Sequence, residues 1–595
     1  MSKPRIVAVA VVLVAVAGAF VARLATLQLA PDPRLEAIGT PLAQDPIAAP
    51  RGEIVDRFGR ALALSLPTPT VIADPRLFHP AEVDAVVDRL TPLLSTSREV
   101  LVSRLSTDRA FAYLERQVDP EIGEAVASLE IPGIWLVDEP RRQNPNGACS
   151  AIGVIGRVDT DHIGISGLEK LRDEELQGRP GELVYEASAD GSLTIPGGRE
   201  VVTPAAPGTN VALSLDRNVQ YRAEELAAAY VERAQGSQAS VIIGMPATGE
   251  IIAMANVARD AETGVVDCTT TNHAVTWTFE PGSIMKPLTV AGVLRSGVHG
   301  AQQLIEVPAL IERDDGEDGK EYVDHWLHPD EWMTPTRIIA DSSNVGTILL
   351  AEKLGADPLR ATFADFGLGT PTSLDLPGEA SGILGDLGAN NLALPSAAIG
   401  QGVATTPIQM HQAFSTLANG GVRVAPTVLA DATGEIAAEP GERVIDAAVA
   451  DAVMAMMEQV VVDGTGTGAS VPGYRVSGKT GTAWQVCPET GTYWCDDGNR
   501  HYTASFVGTV ANDSGSVLSI TVVIDDAKGT YYAGGTAAAP LFAELASYTV
   551  RQLRIPPLSA GAAPSERVRA AAAEAPPVAP DADHIEVADG AEEDS

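Results

Sequence analysis

The feature that most constrains this chain is a nine-residue stretch near its middle, residues 279–287, with the sequence FEPGSIMKP. Its Pro-Gly pair interrupts regular structure, and the apolar-rich run that follows has helical spacing. Ser283 therefore lies at the start of a helix, with Lys286 three residues on and on the same face. At that spacing the amine can take the hydroxyl proton, so the two residues are a candidate nucleophile and base.

Lysine is rare in this chain, because only seven of the 41 basic residues are lysines. Of these, only Lys286 has a serine three positions before it. A buried lysine can lose its proton near neutral pH, whereas an arginine cannot. The use of lysine here favours a chemical role, although chance alone gives about one S-x-x-K in a chain of this length. The alternative is a surface lysine beside an incidental serine.

Composition excludes some classes of function. The chain has 595 residues, enough for two or three domains, and a formal net charge of −37. Nucleic acid is excluded as a partner because phosphate binding needs a basic face. The four cysteines are too few for a disulfide scaffold.

Near the N-terminus, residues 6–22 are uncharged, mostly apolar and preceded by Lys3 and Arg5. This pattern predicts a single transmembrane helix with its basic end in the cytoplasm and the bulk of the chain outside it. Cleavage by signal peptidase before Gly18 is the alternative, since residues 15–17 fit such a site. We favour the retained anchor because the apolar run continues past that site.

The remaining pattern predicts an α+β protein with a smaller N-terminal domain. A helix capped by Asp216, strands near both ends of the large region and a helical centre suggest one antiparallel sheet covered by helices, with a helical lobe. The final residues are rich in Ala, Pro, Asp and Glu, which predicts disorder. The predicted domains are an anchor (residues 1–30), an N-terminal domain with a structural role that we call the pedestal (31–205), a catalytic domain (206–555) and a tail (556–595).

Two further motifs follow Ser283 along the chain. Ser342 and Asn344 lie on a predicted turn between helices and can point the same way, although such residues populate turns in any case. The run Lys479-Thr480-Gly481-Thr482 lies on a predicted strand. It combines a cation, two hydroxyls and a glycine, so it can bind a peptide by strand addition and hold a carboxylate. A strand edge guarded by lysine is the alternative.

The order S-x-x-K, S-x-N and K-T-G is the signature of penicillin-recognising acyl-serine enzymes. With these motifs the chain resembles the class B penicillin-binding proteins, which are peptidoglycan D,D-transpeptidases. Residues 49–57 resemble their N-terminal signature, and residues 366–369, 400–402 and 531–540 resemble further parts of their catalytic domain. The likeness is greatest to the division-specific (FtsI) type, with the elongation-specific type as the alternative.

The resemblance implies a penicillin-binding transpeptidase fold and a role for each motif residue. Ser283 would attack the D-Ala-D-Ala carbonyl and Lys286 would accept its proton, while Ser342 would relay that proton to the leaving D-alanine. Asn344 would hold the substrate amide. Substrate binding, including that of the terminal carboxylate, would fall to Lys479, Thr480, Gly481 and Thr482.

The resemblance also implies partners and rivals. The expected partners are stem peptides, β-lactams, a polytopic glycosyltransferase and other divisome membrane proteins, with no metal or organic cofactor. A β-lactamase or β-lactam sensor on the same fold is one alternative, but no E-x-x-L-N segment follows Asn344. A catalytically idle scaffold is another, and the intact motifs argue against it.

The segment 484–497 looks like an addition specific to this protein. Cys487 and Cys495 flank what reads as a hairpin tip outside the reducing cytoplasm. We therefore predict a disulfide between them, which would stiffen one wall of the cleft. Two free thiols in a mobile loop are the alternative.

Overall fold

The structure is a computed structural model that describes residues 3–29, 42–47, 49–147, 149–186, 200–314, 319–374, 376–431, 440–487 and 489–559. The chain forms two compact units. The smaller unit consists of Met1–Gly52, Ser65–Arg141 and Glu174–Thr209. The larger unit consists of Glu53–Leu64, Arg142–Asp173 and Asn210–Ser595, so it includes two segments from early in the chain.

The N-terminal helix spans Lys3–Leu29. Its side chains are described only for residues 11–25. Within the described part of the chain, no helix combines the length and the apolar character needed to cross a membrane. The predicted anchor at residues 6–22 lies partly outside the described side chains, and the predicted tail lies outside the described residues from 560 onward.

The smaller unit contains a three-stranded antiparallel sheet in which Gly181–Glu186 lies between Leu42–Ile47 and Glu200–Thr203. The long strand Ala61–Ala73 pairs with Ala112–Glu115 and with Ile134–Gln143. Short helices bury Val87, Leu90, Leu101 and other apolar side chains in one core. Besides the N-terminal helix, the helices described in this unit are Pro75–Leu77 (a 3₁₀ turn), Val83–Leu90, Arg98–Leu105 and Pro120–Ala127.

The larger unit is built on a six-stranded antiparallel sheet, as predicted. The strands are β1 (Gln238–Gly244), β2 (Ile251–Arg259), β3 (Val266–Cys268), β4 (Arg475–Trp484), β5 (Tyr502–Asn512) and β6 (Gly515–Asp525). The order across the sheet is β3-β2-β1-β6-β5-β4, so the K-T-G motif on β4 lies on an edge strand.

Helices cover both faces of this sheet. The helices α1 (Arg217–Arg233) and α6 (Ala538–Gln552) share one core with it, and α4 (Pro407–Ala418) and α5 (Ala447–Asp463) share the other. Because both faces are covered, the central strands are buried along almost their whole length, including polar residues such as Thr503, Ser505 and Thr509. The side chain of Asp216 accepts two backbone N–H groups at the start of α1, so the predicted N-cap is confirmed.

The lobe between β3 and β4 is mainly helical. Its helices α2 (Lys286–Ser296) and α3 (Asn344–Leu354) pack into the same core as α4 and α5. The lobe also contains two strand pairs that the sequence did not predict, Ile305–Val307 with Glu331–Met333 and Leu310–Asp314 with Gly319–Val323.

The remaining elements of the larger unit are short. The other helices are Ile152–Ile155, Gly167–Leu171, His273–Thr276, Pro335–Ala340, Ala356–Asp365 and Ala393–Ala398. The 3₁₀ turns are Gly282–Met285, Thr467–Ala469 and Gly529–Tyr531. The minor strands are Ile54–Val55, Val211–Leu213, Val422–Arg423, Leu429–Ala430 and Glu442–Arg443. The helix Asp173–Gln177 and the strand Ala61–Ala73 each extend from one unit into the other.

Candidate active site

Ser283 lies on the 3₁₀ turn Gly282–Met285, which runs directly into α2 at Lys286. Gly282 has φ +57°, a conformation that glycine adopts at no steric cost. A Cβ on Gly282 would come within 3.0 Å of the Ala483 Cβ on β4, so the turn packs closely against that strand. The Gly282 N–H donates to the Gly400 carbonyl at 2.9 Å, which ties the turn to a second loop.

The turn places Ser283 and Lys286 on one side, because residues three apart eclipse each other in a 3₁₀ turn. The Ser283 side chain is half-buried, and Lys286 is completely buried. Lys286 Nζ donates to the Ser342 carbonyl at 2.5 Å and to Asn344 Oδ1 at 2.7 Å. Among the described hydrogen bonds none joins Nζ to Ser283 Oγ, and such contacts are often long in unliganded enzymes.

The turn that carries Ser342 has a strained backbone. Ser342 has φ +62°, in the left-handed region that costs a non-glycine residue about 1–2 kcal/mol. The Ser343 N–H donates to the Ile338 carbonyl at 2.9 Å and helps to hold this conformation. As a result the Ser342 carbonyl and hydroxyl and the Asn344 amide oxygen all reach Lys286 Nζ.

Asp324 holds this turn in place through hydrogen bonds, and the sequence pattern did not identify this residue. Its buried carboxylate accepts the Ser343 hydroxyl at 2.6 Å and the Val345 N–H at 3.0 Å, and also the N–H of Asn344. The Asn344 side-chain amide donates to the Val323 carbonyl at 2.9 Å. No local pattern marks this aspartate, because its partners lie about twenty residues further along the chain.

Lys479 enters the site from β4. It is completely buried, and its Nζ lies 2.9 Å from Ser342 Oγ and 3.2 Å from the Thr480 carbonyl. Ser342 Oγ also lies 3.2 Å from Lys286 Nζ, so one hydroxyl joins the two amines.

The rest of the K-T-G motif faces different surroundings. Thr480 Oγ1 lies 2.6 Å from Thr465 Oγ1, whereas the Thr482 side chain is exposed and accepts the Gly534 N–H at 3.1 Å. A Cβ on Gly481 would lie 2.3 Å from Ser505 Oγ and 3.1 Å from Ile284 Cγ2. The shorter contact is with Ser505 on β5, so glycine is needed where β4 packs against β5, and the nucleophile turn lies close to the same position.

The electrostatics of the site follow from burial. Burial lowers the pKa of Lys286 from 10.5 to about 7, and the Asp324 carboxylate opposes this shift. Burial, together with the charge of Lys286, holds the pKa of Lys479 well below its usual value. At neutral pH, an appreciable fraction of the Lys286 side chains is therefore uncharged and able to accept a proton.

The four cysteines are joined in pairs. Cys487 and Cys495, the predicted pair, have their Cα atoms 5.3 Å apart, and Cys149 and Cys268 have theirs 5.2 Å apart. In the described part of the chain, the two clusters with metal-ligand spacing both include these sulfurs, which as disulfides offer no thiolate. The groups that contact Lys286 Nζ are a backbone carbonyl, a hydroxyl and an amide oxygen, and this set suits acyl transfer.

Comparison with known proteins decides the family. A model of the penicillin-binding protein transpeptidase domain matches residues 239–547, which is more than half of the chain. The chain belongs to the penicillin-binding proteins with a transpeptidase domain. A model of the penicillin-binding protein dimerisation domain matches residues 46–213. The family and the transpeptidase fold expected from the three motifs are confirmed.

Similar proteins align with this penicillin-binding protein over most of its length. It is 30% identical to penicillin-binding protein PbpB of Mycobacterium tuberculosis, over 88% of this chain and 81% of the relative. It is 32% identical to the peptidoglycan D,D-transpeptidase FtsI of Escherichia coli, over 86% of this chain and 85% of that one. The crystal structure of penicillin-binding protein 3 from Mycobacterium tuberculosis with aztreonam superimposes with a TM-score of 0.63 and 26% identity, covering 86% of this chain and 98% of that one.

Proposed function

We propose that this penicillin-binding protein is a peptidoglycan D,D-transpeptidase that cross-links stem peptides in septal wall synthesis and is acylated by β-lactams. The observation that carries the proposal is Lys286, a completely buried amine one helical turn from the half-buried Ser283, with a pKa of about 7. The relative from Escherichia coli is named for this activity, and the similar crystal structure contains a β-lactam.

In the first half-reaction, Ser283 Oγ bonds to the carbonyl carbon of the penultimate D-alanine, and the bond to the terminal D-alanine breaks. The hydroxyl proton passes to Lys286 Nζ. A neutral amine has two N–H groups, and the two shortest contacts of Nζ, to the Ser342 carbonyl and Asn344 Oδ1, use both of them. Its lone pair accepts the Ser283 proton, and the ammonium that forms has a third N–H group for Ser342 Oγ at 3.2 Å.

Ser342 is suited to deliver the proton to the leaving amine. Its hydroxyl contacts both Lys286 and Lys479, so it can accept a hydrogen bond from one amine while it donates to the other. In the second half-reaction, an amine from a neighbouring stem peptide attacks the acyl-enzyme. The new amide forms, and Ser283 leaves with its proton restored.

Substrate binding is assigned to β4. This strand is at the edge of the sheet, where an extended peptide can add as a further strand. Lys479, Thr480 and Thr482 hold the terminal carboxylate, and Gly481 lets the strand approach the nucleophile turn. The backbone N–H groups of Ser283 and Thr482 form the oxyanion hole, where one donor typically lowers the barrier by about 3 kcal/mol.

The N-terminal helix would anchor the protein in the cell membrane, with the catalytic unit outside the cytoplasm. The proposal rests on the sequence, in which residues 6–22 are uncharged and mostly apolar behind Lys3 and Arg5, and on the exposure of the large apolar side chains between Val11 and Leu24. We assign residues 1–30 to the anchor, 31–205 to a pedestal, 206–555 to catalysis and 556–595 to the tail. A polytopic glycosyltransferase and other divisome membrane proteins are the proposed partners, and the chemistry needs no metal or organic cofactor.

Covalent labelling tests the proposal directly. The purified protein should gain the mass of one penicillin molecule, located by peptide mapping to Ser283, and the Ser283→Ala variant should gain none. A stem-peptide dimer should form in the presence of lipid-linked substrate and a glycosyltransferase. Labelling of the Ser283→Ala variant at an unchanged rate would overturn the assignment, and rapid release of hydrolysed penicillin would indicate a β-lactamase.

A further inference from the structure

A loop outside the three motifs touches the nucleophile turn. The Tyr493 hydroxyl lies 2.9 Å from Glu280 Oε2 and 3.1 Å from Glu280 Oε1, and it donates to this carboxylate. Tyr493 lies between Cys487 and Cys495 and belongs to the loop that their disulfide closes. Glu280 lies three residues before Ser283. Residues that are 213 positions apart therefore join the closed loop to the turn that carries the nucleophile.

Glu280 is a junction between three segments. Its Oε1 also accepts the Gly402 N–H at 2.8 Å. The carbonyl of the nearby Gly400 accepts the N–H of Gly282, directly before Ser283, at 2.9 Å. Lys320 donates to Gln401 at 3.0 Å and lies close enough to attract the Glu280 carboxylate. A shift of Glu280 would therefore also move residues 400–402, which are hydrogen-bonded to Gly282 directly before Ser283.

The described residues of the loop, Cys487 and 489–495, make hydrogen bonds and ring contacts of their own. The Cys487 N–H donates to the Thr492 carbonyl at 2.8 Å, and the Cys487 side chain is buried. The Tyr493 ring packs against Trp484 at the end of β4, with ring centroids 5.6 Å apart. The guanidinium of Arg500 lies 4.0 Å from the Trp484 centroid and so braces the base of the loop.

The chemistry at this contact favours a lasting hydrogen bond. Burial, with the adjacent Glu280 charge, raises the pKa of the Tyr493 hydroxyl above its usual value of 10, so it remains a proton donor. Glu280 is partly buried, and hydrogen bonds to carboxylates are stronger than those between neutral groups.

We propose that Tyr493 and Glu280 are positioning residues for Ser283, and that the disulfide-closed loop 487–495 holds the nucleophile turn in its reactive orientation through this contact. The proposal rests on the proposed acylation of Ser283. It assigns to the loop a role in the acylation step and none in substrate capture. The loop acts on the orientation of an existing hydroxyl, so its loss should lower the rate constant of acylation and leave the affinity of the initial complex unchanged.

The test measures acylation by a fluorescent penicillin in stopped flow, which separates the dissociation constant of the first complex from the acylation rate constant. Tyr493→Phe removes only the hydroxyl group, and Cys487→Ser with Cys495→Ser removes only the disulfide that closes the loop. We expect each to lower the acylation rate constant about tenfold, with the dissociation constant changed less than twofold. A variant that combines all three substitutions should have an acylation rate constant no lower than that of either single change, because both changes act through one contact.

The second disulfide provides a matched control. Cys149→Ser with Cys268→Ser also removes one bond and should reduce thermal stability, yet it should leave the acylation rate constant within twofold of wild type. An unchanged rate constant in Tyr493→Phe would overturn the inference, as would equal losses in both disulfide variants. Failure of the proposed function is distinguishable, because labelling would then persist in Ser283→Ala.

Discussion

The Nζ atom of Lys479 lies 2.9 Å from the Oγ atom of Ser342. The same oxygen lies 3.2 Å from Lys286 Nζ, so a single hydroxyl connects two buried amines. A hydroxyl carries one proton and two lone pairs, and it can therefore accept from one amine while donating to the other. Ser342 therefore connects the two amines in addition to shaping the turn, and this favours a proton path between the general base and the leaving group.

Ser342→Ala should therefore lower the second-order rate of penicillin acylation by about 10²-fold or more, a typical loss for proton-transfer catalysis. The adjacent Ser343→Ala is the matched control. Ser343 Oγ donates to Asp324 and caps the Gly346 N–H, so its loss should reduce stability by about 1–2 kcal/mol. Its acylation rate should stay within tenfold of wild type. If the Ser342→Ala variant were acylated at the wild-type rate, this hydroxyl would have no part in the proton path.

Lys286→Arg should abolish transpeptidation and lower penicillin acylation by about 10²–10⁴-fold, or about 3–5 kcal/mol of barrier. The guanidinium keeps the positive charge but cannot give up a proton at neutral pH. Lys286→Met, which fills similar space without a charge, should lose as much activity. Thermal melts report whether each variant is folded, which matters because Lys286 is completely buried. If arginine restored activity and methionine did not, Lys286 would serve as a charge partner and not as the base.

The sequence predicted those features that depend on local pattern. The Asp216 cap, the main strands of the large sheet and the S-x-x-K turn each follow from residues a few positions apart. Asp324 and the contact of Glu280 with Tyr493 were missed, because each joins distant segments and neither belongs to a periodic pattern. The strand pairs of the lobe were missed because strands of three to five residues give no clear alternation.

The sequence identified Gly481 as a site residue but explained only part of the reason for a glycine there. The sequence suggested that this glycine lets a ligand approach the strand. The structure adds that a Cβ there would lie 2.3 Å from Ser505 Oγ and 3.1 Å from Ile284 Cγ2. The contact with Ser505 on β5 thus requires the glycine, and the nucleophile turn packs closely on the same position. Both contacts depend on the tertiary structure.

Thiol titration of the denatured, unreduced protein should find no free thiol among the four cysteines, because all are paired. In the chain-entropy model, the bond between Cys149 and Cys268 spans 119 residues and should contribute about 5 kcal/mol. The bond between Cys487 and Cys495 spans eight and should contribute about 2.5 kcal/mol. Serine pairs should therefore lower the melting temperature more at the first site. Four free thiols would rule out both bonds.

The rate of penicillin acylation should rise with pH and have its midpoint near pH 7, because the pKa of Lys286 is about 7 and only the free amine can accept a proton. Asp324→Asn should move this midpoint to lower pH. The Asp324 carboxylate stabilises the ammonium and raises the pKa of Lys286, so its removal lets the amine persist at lower pH. Because the substitution also loosens the Ser342 turn, the midpoint is read from rates normalised to their plateau.

Asp341→Asn is the control for this assignment. Burial raises the pKa of Asp341 to about 6, so this carboxyl group could itself give a titration near neutral pH. Its charge acts on Lys479, and it is not among the groups that shift the pKa of Lys286. The normalised midpoint of Asp341→Asn should therefore equal that of wild type. A shift in this variant with none in Asp324→Asn would assign the titration to Asp341, and Lys286 would no longer be the group whose deprotonation controls acylation.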